Sequence, residues 1–240
     1  MKNVSRTEKI LFACLVFWSG AGLIFTLFKI DAAHPRLAAL APGLKEFVMA
    51  CFGWGDFFLM LLAAANLYAY TFGAWGKRDA ITWAVVICVV GAGVEILGTL
   101  TGFPFGSYTY SAKFGPVIGG VLPLAIPLAW FCVVTASLVI VLRVIPHCGV
   151  IRVAALTATA TTFLDWIMEP FATLIKGYWI WQNGIIPLQN YISWWAVTFL
   201  LVLTRPLYAK LNAAPADIRP VFVLVSFLVL FAAARLVHGV

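Results

Sequence analysis

Charge is scarce in this chain: 10% of its 240 residues are Asp, Glu, Lys or Arg, while 63% are hydrophobic and the mean hydropathy is +1.01. So little polar surface excludes a soluble globule and points to an integral membrane protein. Histidine is rare as well. His34, His147 and His238 stand far apart, which excludes the clusters that hold iron in oxygen-dependent hydroxylases and desaturases, and no metal is expected. The five cysteines, Cys14, Cys51, Cys88, Cys132 and Cys148, form no CxxC and read as small buried hydrophobes. Val221 to Leu236 contains no lysine, so a retinal Schiff base in a last helix is excluded. There is no Asp-rich DDxxD motif for a magnesium-bound prenyl diphosphate, no phosphate loop and no dinucleotide fingerprint. The net charge of +7 comes from residues scattered through short linkers, so nucleic acid is not an expected partner.

Long apolar runs are what the chain has instead. About 20 such residues span a bilayer core, and seven segments qualify: Ile10–Phe28, Phe47–Phe72, Ile81–Leu100, Val117–Val141, Ile151–Leu174, Tyr191–Lys210 and Ile218–Leu236. The first follows a basic start (Lys2, Arg6, Lys9) but exceeds a typical signal-peptide core, so it is expected to be a retained span. The expectation is an all-α polytopic membrane protein, a bundle of about seven transmembrane helices forming a single domain over residues 1–240. Ten Lys and Arg fall on the side of the N-terminus and the second, fourth and sixth linkers, against six opposite. That bias predicts a cytoplasmic N-terminus in a cytoplasmic membrane.

Three carboxylates interrupt the apolar runs. An acid at the centre of a membrane helix costs about 2.5–3.5 kcal/mol on insertion scales, so Glu95, Asp165 and Glu169 are expected to face the protein interior and to act there. Asp165 and Glu169, four apart, share a helix face, and two carboxylates so close in a low dielectric cannot easily both ionise. A hydrogen-bonded polar knot that only fixes packing is the plainer alternative. Asp56 lies in the same half of the bilayer under the predicted topology, and a pairing with Asn66 in the second helix is its simplest reading. Pro170, directly after Glu169, blocks the regular helix and frees carbonyls of the preceding turn. Two irregular segments, Thr101 to Pro116 and Gly177 to Asn190, are too apolar for solvated loops. They read as caps folded over the bundle or, equally, as interface anchors through Tyr108, Tyr110, Tyr178, Trp179 and Trp181. Trp130, Trp166, Trp179, Trp181, Trp194 and Trp195 are candidates to shield a cation with their π faces, although most tryptophans in such proteins only pack. Gln189 and Asn190, at the mouth of the sixth helix, can position a water.

Four motifs carry a resemblance: E-x-x-G from Glu95 to Gly98 running into TGFPFGSYTY, PLAIPLAW from Pro123 to Trp130, D-x-x-x-E-P from Asp165 to Pro170, and IPLQNYISWW from Ile186 to Trp195. In combination they resemble the membrane carotenoid-biosynthesis family that includes the CruF-type carotenoid 1,2-hydratases. The resemblance implies cofactor-free addition of water to the terminal C1–C2 double bond of an acyclic carotenoid dissolved in the bilayer. It implies Asp165, Glu169 and Glu95 as the catalytic acids, with Phe105, Tyr108, Trp130, Trp166, Trp179 and Asn190 against the substrate. A proton-initiated carotenoid cyclase would use the same acids while excluding water, and a transporter or lipid-binding scaffold would use them as a proton relay. The residues alone leave all three open.

Overall fold

The computed structural model describes residues 5–30, 34–207 and 214–240, so Lys2 and Lys210, counted above as topology signals, lie outside the described residues. Seven α-helices run among the described residues: α1 (Arg6–Leu27), α2 (Pro42–Trp75), α3 (Lys77–Thr101), α4 (Ala125–Val144), α5 (Val150–Pro170), α6 (Leu188–Thr204) and α7 (Ile218–His238). Six of the helical spans are long and apolar enough to cross a membrane, and the chain is a multi-pass membrane protein. The exception is α6, whose 17 residues rise only about 26 Å at 1.5 Å each.

Local chemistry sets the helix ends. Ser5 and Glu8 form a reciprocal capping box at the start of α1, with Ser5 N donating to Glu8 Oε2 (2.9 Å) and Glu8 N to Ser5 Oγ (3.2 Å). Gly102, at φ +76°, closes α3 in the left-handed conformation that glycine adopts without strain. Pro170 ends the regular part of α5, and residues Phe171–Lys176 continue as a π-helix. The proline ring removes a donor and crowds the carbonyl one turn back, so the following turn widens.

Helix α4 is the axis of the bundle. Of its most apolar 18-residue window 78% is buried inside the protein, against 6% for α1, which lies at the periphery. Polar contacts mark the two ends. At one end Arg219 bonds Glu8 and Asp217, Arg143 reaches the carbonyls of Pro215 and Asp217, and Arg205 lies over the rings of Trp75 and Trp83. Asp217, outside the spans, is raised by burial but held below the usual carboxylate range by the bonds from Arg219.

The other end is capped. The two irregular segments pair with each other: β1 (Tyr108–Tyr110) lies antiparallel to β4 (Trp179–Trp181), in the register Tyr108 to Trp181 and Tyr110 to Trp179. Alternation along both strands sends Tyr108, Trp179 and Trp181 into the protein, while Ile180 is exposed. A second, smaller hairpin joins β2 (Val117–Ile118) to β3 (Leu122–Pro123). The fourth apolar run therefore does not start a helix at Val117. It first turns back through Gly119 and Gly120, both at positive φ, and becomes helical at Ala125.

Candidate active site

Glu95 lies on α3 between two glycines, Gly91 one turn before and Gly98 almost one turn after. A Cβ at Gly91 would stand 2.8 Å from the Trp130 ring, and one at Gly98 would stand 2.9 Å from both Phe105 and the Tyr108 hydroxyl. The absent side chains let three aromatic donors close on the acid. Tyr108 and Tyr110 donate to Oε2 (2.5 and 2.7 Å), and Trp130 Nε1 donates to Oε1 (2.9 Å). Both oxygens of Glu95 thus accept hydrogen bonds.

Asp165 and Glu169 project from the face of α5 that meets α6. Glu169 Oε2 accepts from Trp179 (3.2 Å) and Trp181 (3.1 Å), the two inward residues of β4. Asn190, in the first turn of α6, bridges the pair, its Nδ2 lying 2.9 Å from Asp165 Oδ2 and 3.3 Å from Glu169 Oε1. Asp165 Oδ1 is buried with no hydrogen-bond partner among the described residues. The three acids are joined through the cap, because the Tyr108 ring packs 5.0 Å from that of Trp181. Glu95, Asp165 and Glu169 are respectively 5%, 2% and 1% exposed, so all three are removed from lipid and bulk water.

Eight of the nine residues singled out in the sequence line one cavity: Glu95, Phe105, Tyr108, Trp130, Asp165, Glu169, Trp179 and Asn190. Its free volume is ≈ 60 Å³, enough for about two waters. Trp130 forms part of its wall, stacked on Trp194 with ring centroids 3.7 Å apart and planes 2° from parallel. Trp166 is not brought there. It follows Asp165 by one residue, about 100° around the helix, and is 50% exposed on the outer face against Phe163 and Arg235. Asp56 does not pair with Asn66 either. Asp56 accepts hydrogen bonds from Lys176 Nζ (2.8 Å) and the Tyr178 hydroxyl, while Asn66 donates to the carbonyls of Leu11 and Leu62.

The comparison with known proteins decides the family. Residues 55–240, which contain every side chain of this cavity, match the carotenoid biosynthesis protein family. The chain belongs to that family. It is also 30% identical over 188 residues to bisanhydrobacterioruberin hydratase of Haloarcula japonica, an alignment covering 76% of this chain and 60% of the relative. The chain therefore spans about 60% of the length of that curated relative. No solved structure matches.

In this carotenoid biosynthesis protein, several cavity residues were not singled out as site residues from the sequence. Tyr110 was read as a cap or interface residue, Trp181 and Trp194 stood among six tryptophans offered as cation shields without a site role of their own, and Phe227 and Phe231 on α7 carried no signal at all. Burial is what distinguishes them. Trp181 is 5% exposed and Trp194 8%, against 36% for the adjacent Trp195.

Proposed function

We propose that this carotenoid biosynthesis protein is a hydratase that adds water across the terminal C1–C2 double bond of an acyclic carotenoid end group. The reading rests most on Asp165 Oδ1, a buried acid oxygen with no hydrogen-bond partner among the described residues, in a small cavity walled mostly by aromatic and aliphatic side chains. Glu95 and Glu169 have both oxygens occupied as acceptors, so Asp165 is the acid suited to carry a proton.

Asp165 delivers that proton to C2. The π electrons form the C2–H bond and leave a tertiary cation at C1. The stacked Trp130–Trp194 pair and the Glu95 carboxylate lower the energy of that cation by their electron-rich faces and charge. Water held by Asn190 and Glu169 adds to C1. Glu169 takes the proton released by the new hydroxyl and, one helical turn from Asp165, returns it through water, so the enzyme ends as it began. No redox step occurs, and no cofactor takes part in the balance. A cyclase would need the same cation, but a cavity with room for water and with Asn190 beside the acids favours hydration. The site lies at the capped end of the bundle, which the distribution of Lys and Arg assigns to the side away from the cytoplasm.

Product mass tests the proposal. Expressed in bacteria that accumulate lycopene, γ-carotene or C50 precursors, the protein is expected to yield carotenoids heavier by one or two waters. Unchanged mass with a shifted absorption spectrum would establish cyclisation instead, and unchanged carotenoids with all three precursors would refute the enzyme reading.

A further inference from the structure

The acid cavity is too small for the substrate class just proposed. A six-carbon guest occupies a cavity of about 150 Å³, whereas the space among the acids is ≈ 60 Å³. A much larger space adjoins it. Between α1, α2, α7 and the π-helix runs a groove of ≈ 550 Å³, and four residues, Asp56, Leu59, Phe171 and Leu230, line both spaces. Those four side chains stand between the groove and the acid cavity.

Along α1 the groove extends from Phe17 to Thr26, about 14 Å at 1.5 Å per residue. Its walls are mostly apolar. Trp18 Nε1 donates to Gly55 O (2.8 Å), which ties α1 to α2 at the inner end and satisfies the indole there. Lys29, Lys176 and His238 stand at the other end. The partition also contains the Asp56–Lys176 ion pair, its Lys and Asp side chains 36% and 28% exposed. Phe171 and Lys176 belong to the widened turn that follows Pro170, so the irregularity after α5 supplies part of the wall beside the acid pair.

We propose that this groove is a binding site for the extended hydrocarbon chain of a linear polyene, whose end passes Phe171 to reach the acids. The proposal rests on the hydratase reading for the identity of the chain, while the binding step stands apart from the chemistry. A long apolar chain suits a narrow, elongated, unpaired cleft within the bilayer, and continuity with the acid cavity is what distinguishes this cleft from ordinary lipid contact. The groove contributes affinity for chain length and the inner cavity performs the reaction on the end.

Purified full-length protein in detergent, titrated with an acyclic C40 polyene, tests this through induced circular dichroism in the visible band, since a polyene merely dissolved in a micelle has no fixed chiral surroundings. The wild type is expected to give a saturable signal, and Asp165→Asn to keep it. Gly22→Trp and Thr26→Trp each fill the groove from the peripheral helix α1, where a Cβ at Gly22 meets nothing within 4 Å. Each is expected to weaken binding at least tenfold, and the one that inserts suffices if the other does not. A wild type without a saturable signal, or an inserted groove variant that binds as the wild type does, overturns the proposal. Water addition is scored on the same samples: its absence with groove-dependent binding intact refutes the hydratase reading and leaves the groove as a polyene site.

Discussion

At the scale of single residues, the three acids are distinguished by what their oxygens accept. Glu95 is surrounded by donors, Glu169 is held by two indoles and an amide, and Asp165 alone keeps a free oxygen. Asp165→Asn is therefore expected to lower product formation by about 10²–10⁴-fold, the usual contribution of a positioned general acid, without loss of folded protein. Tyr108→Phe removes one of the donors to Glu95 while keeping the ring, and about tenfold loss of turnover with little change in thermal stability is the expected result. Trp166→Phe should leave turnover within about twofold, because the ring lies on the outer face; a larger loss would contradict that placement. The acids were legible in the sequence because a carboxylate inside an apolar run is conspicuous. Trp181 and Trp194 were candidates only within a group of six tryptophans, because aromatic residues serve equally at the lipid interface, in the core and at a site, and only the pairing of β1 with β4 and the stacking on Trp130 separate these roles.

At the scale of elements, the E-x-x-G motif gains a physical meaning. Gly98 is small because Phe105 and Tyr108 must lie over it to reach Glu95, and Gly91 is small because Trp130 does the same from α4. Gly98→Ala and Gly91→Ala should each force these rings away and destabilise the fold by about 1–3 kcal/mol, the range for overpacking. Thermal unfolding in detergent would register the loss, and turnover should fall with it; an alanine variant as stable and active as the wild type would sink this account of the motif. Helix positions followed from apolar length, but several boundaries did not: α2 begins at Pro42 rather than Phe47, α6 begins at Leu188 rather than Tyr191 and ends at Thr204, and two more differ beside the site. The hairpin before α4 is as apolar as the helix it precedes, so hydropathy runs through it, and only Gly119 and Gly120 punctuate the turn. Likewise Pro170 marked the end of regular helix, while the π-helical turn that follows was not marked; it closes just before β4, where Tyr178 N donates to the Ala172 carbonyl (2.8 Å).

At the scale of the whole molecule, the described chain has seven α-helices, six of them in spans long and apolar enough to cross a membrane. We propose that the shorter α6 crosses as well, which puts the two ends of the described chain on opposite sides. Alkaline phosphatase fused after Val240 should be active in bacteria, and a fusion within the Lys77–Arg78 turn should not. The reverse pattern would invert the assignment made from Lys and Arg. The asymmetry matters because everything reactive lies at the capped end: the β1–β4 cap, the acid cavity and the groove beside Asp56. Under the proposed reaction, a carotenoid dissolved in the bilayer reaches such a site sideways, without leaving the membrane, while water comes from the adjacent surface. The outer cleft lined by Ser107, Gln182, Asn183 and Gln189 shares Trp181 with the acid cavity, so one indole stands between that surface and Glu169.

The most direct test of the central claim is to supply purified full-length protein with an acyclic carotenoid in water enriched in heavy oxygen and deuterium, and to weigh the product. Hydration by the buried acids predicts one heavy oxygen and one carbon-bound deuterium for each end converted, with both lost in Asp165→Asn. A product that gains deuterium without oxygen, or oxygen incorporation that persists unchanged in Asp165→Asn, would contradict it.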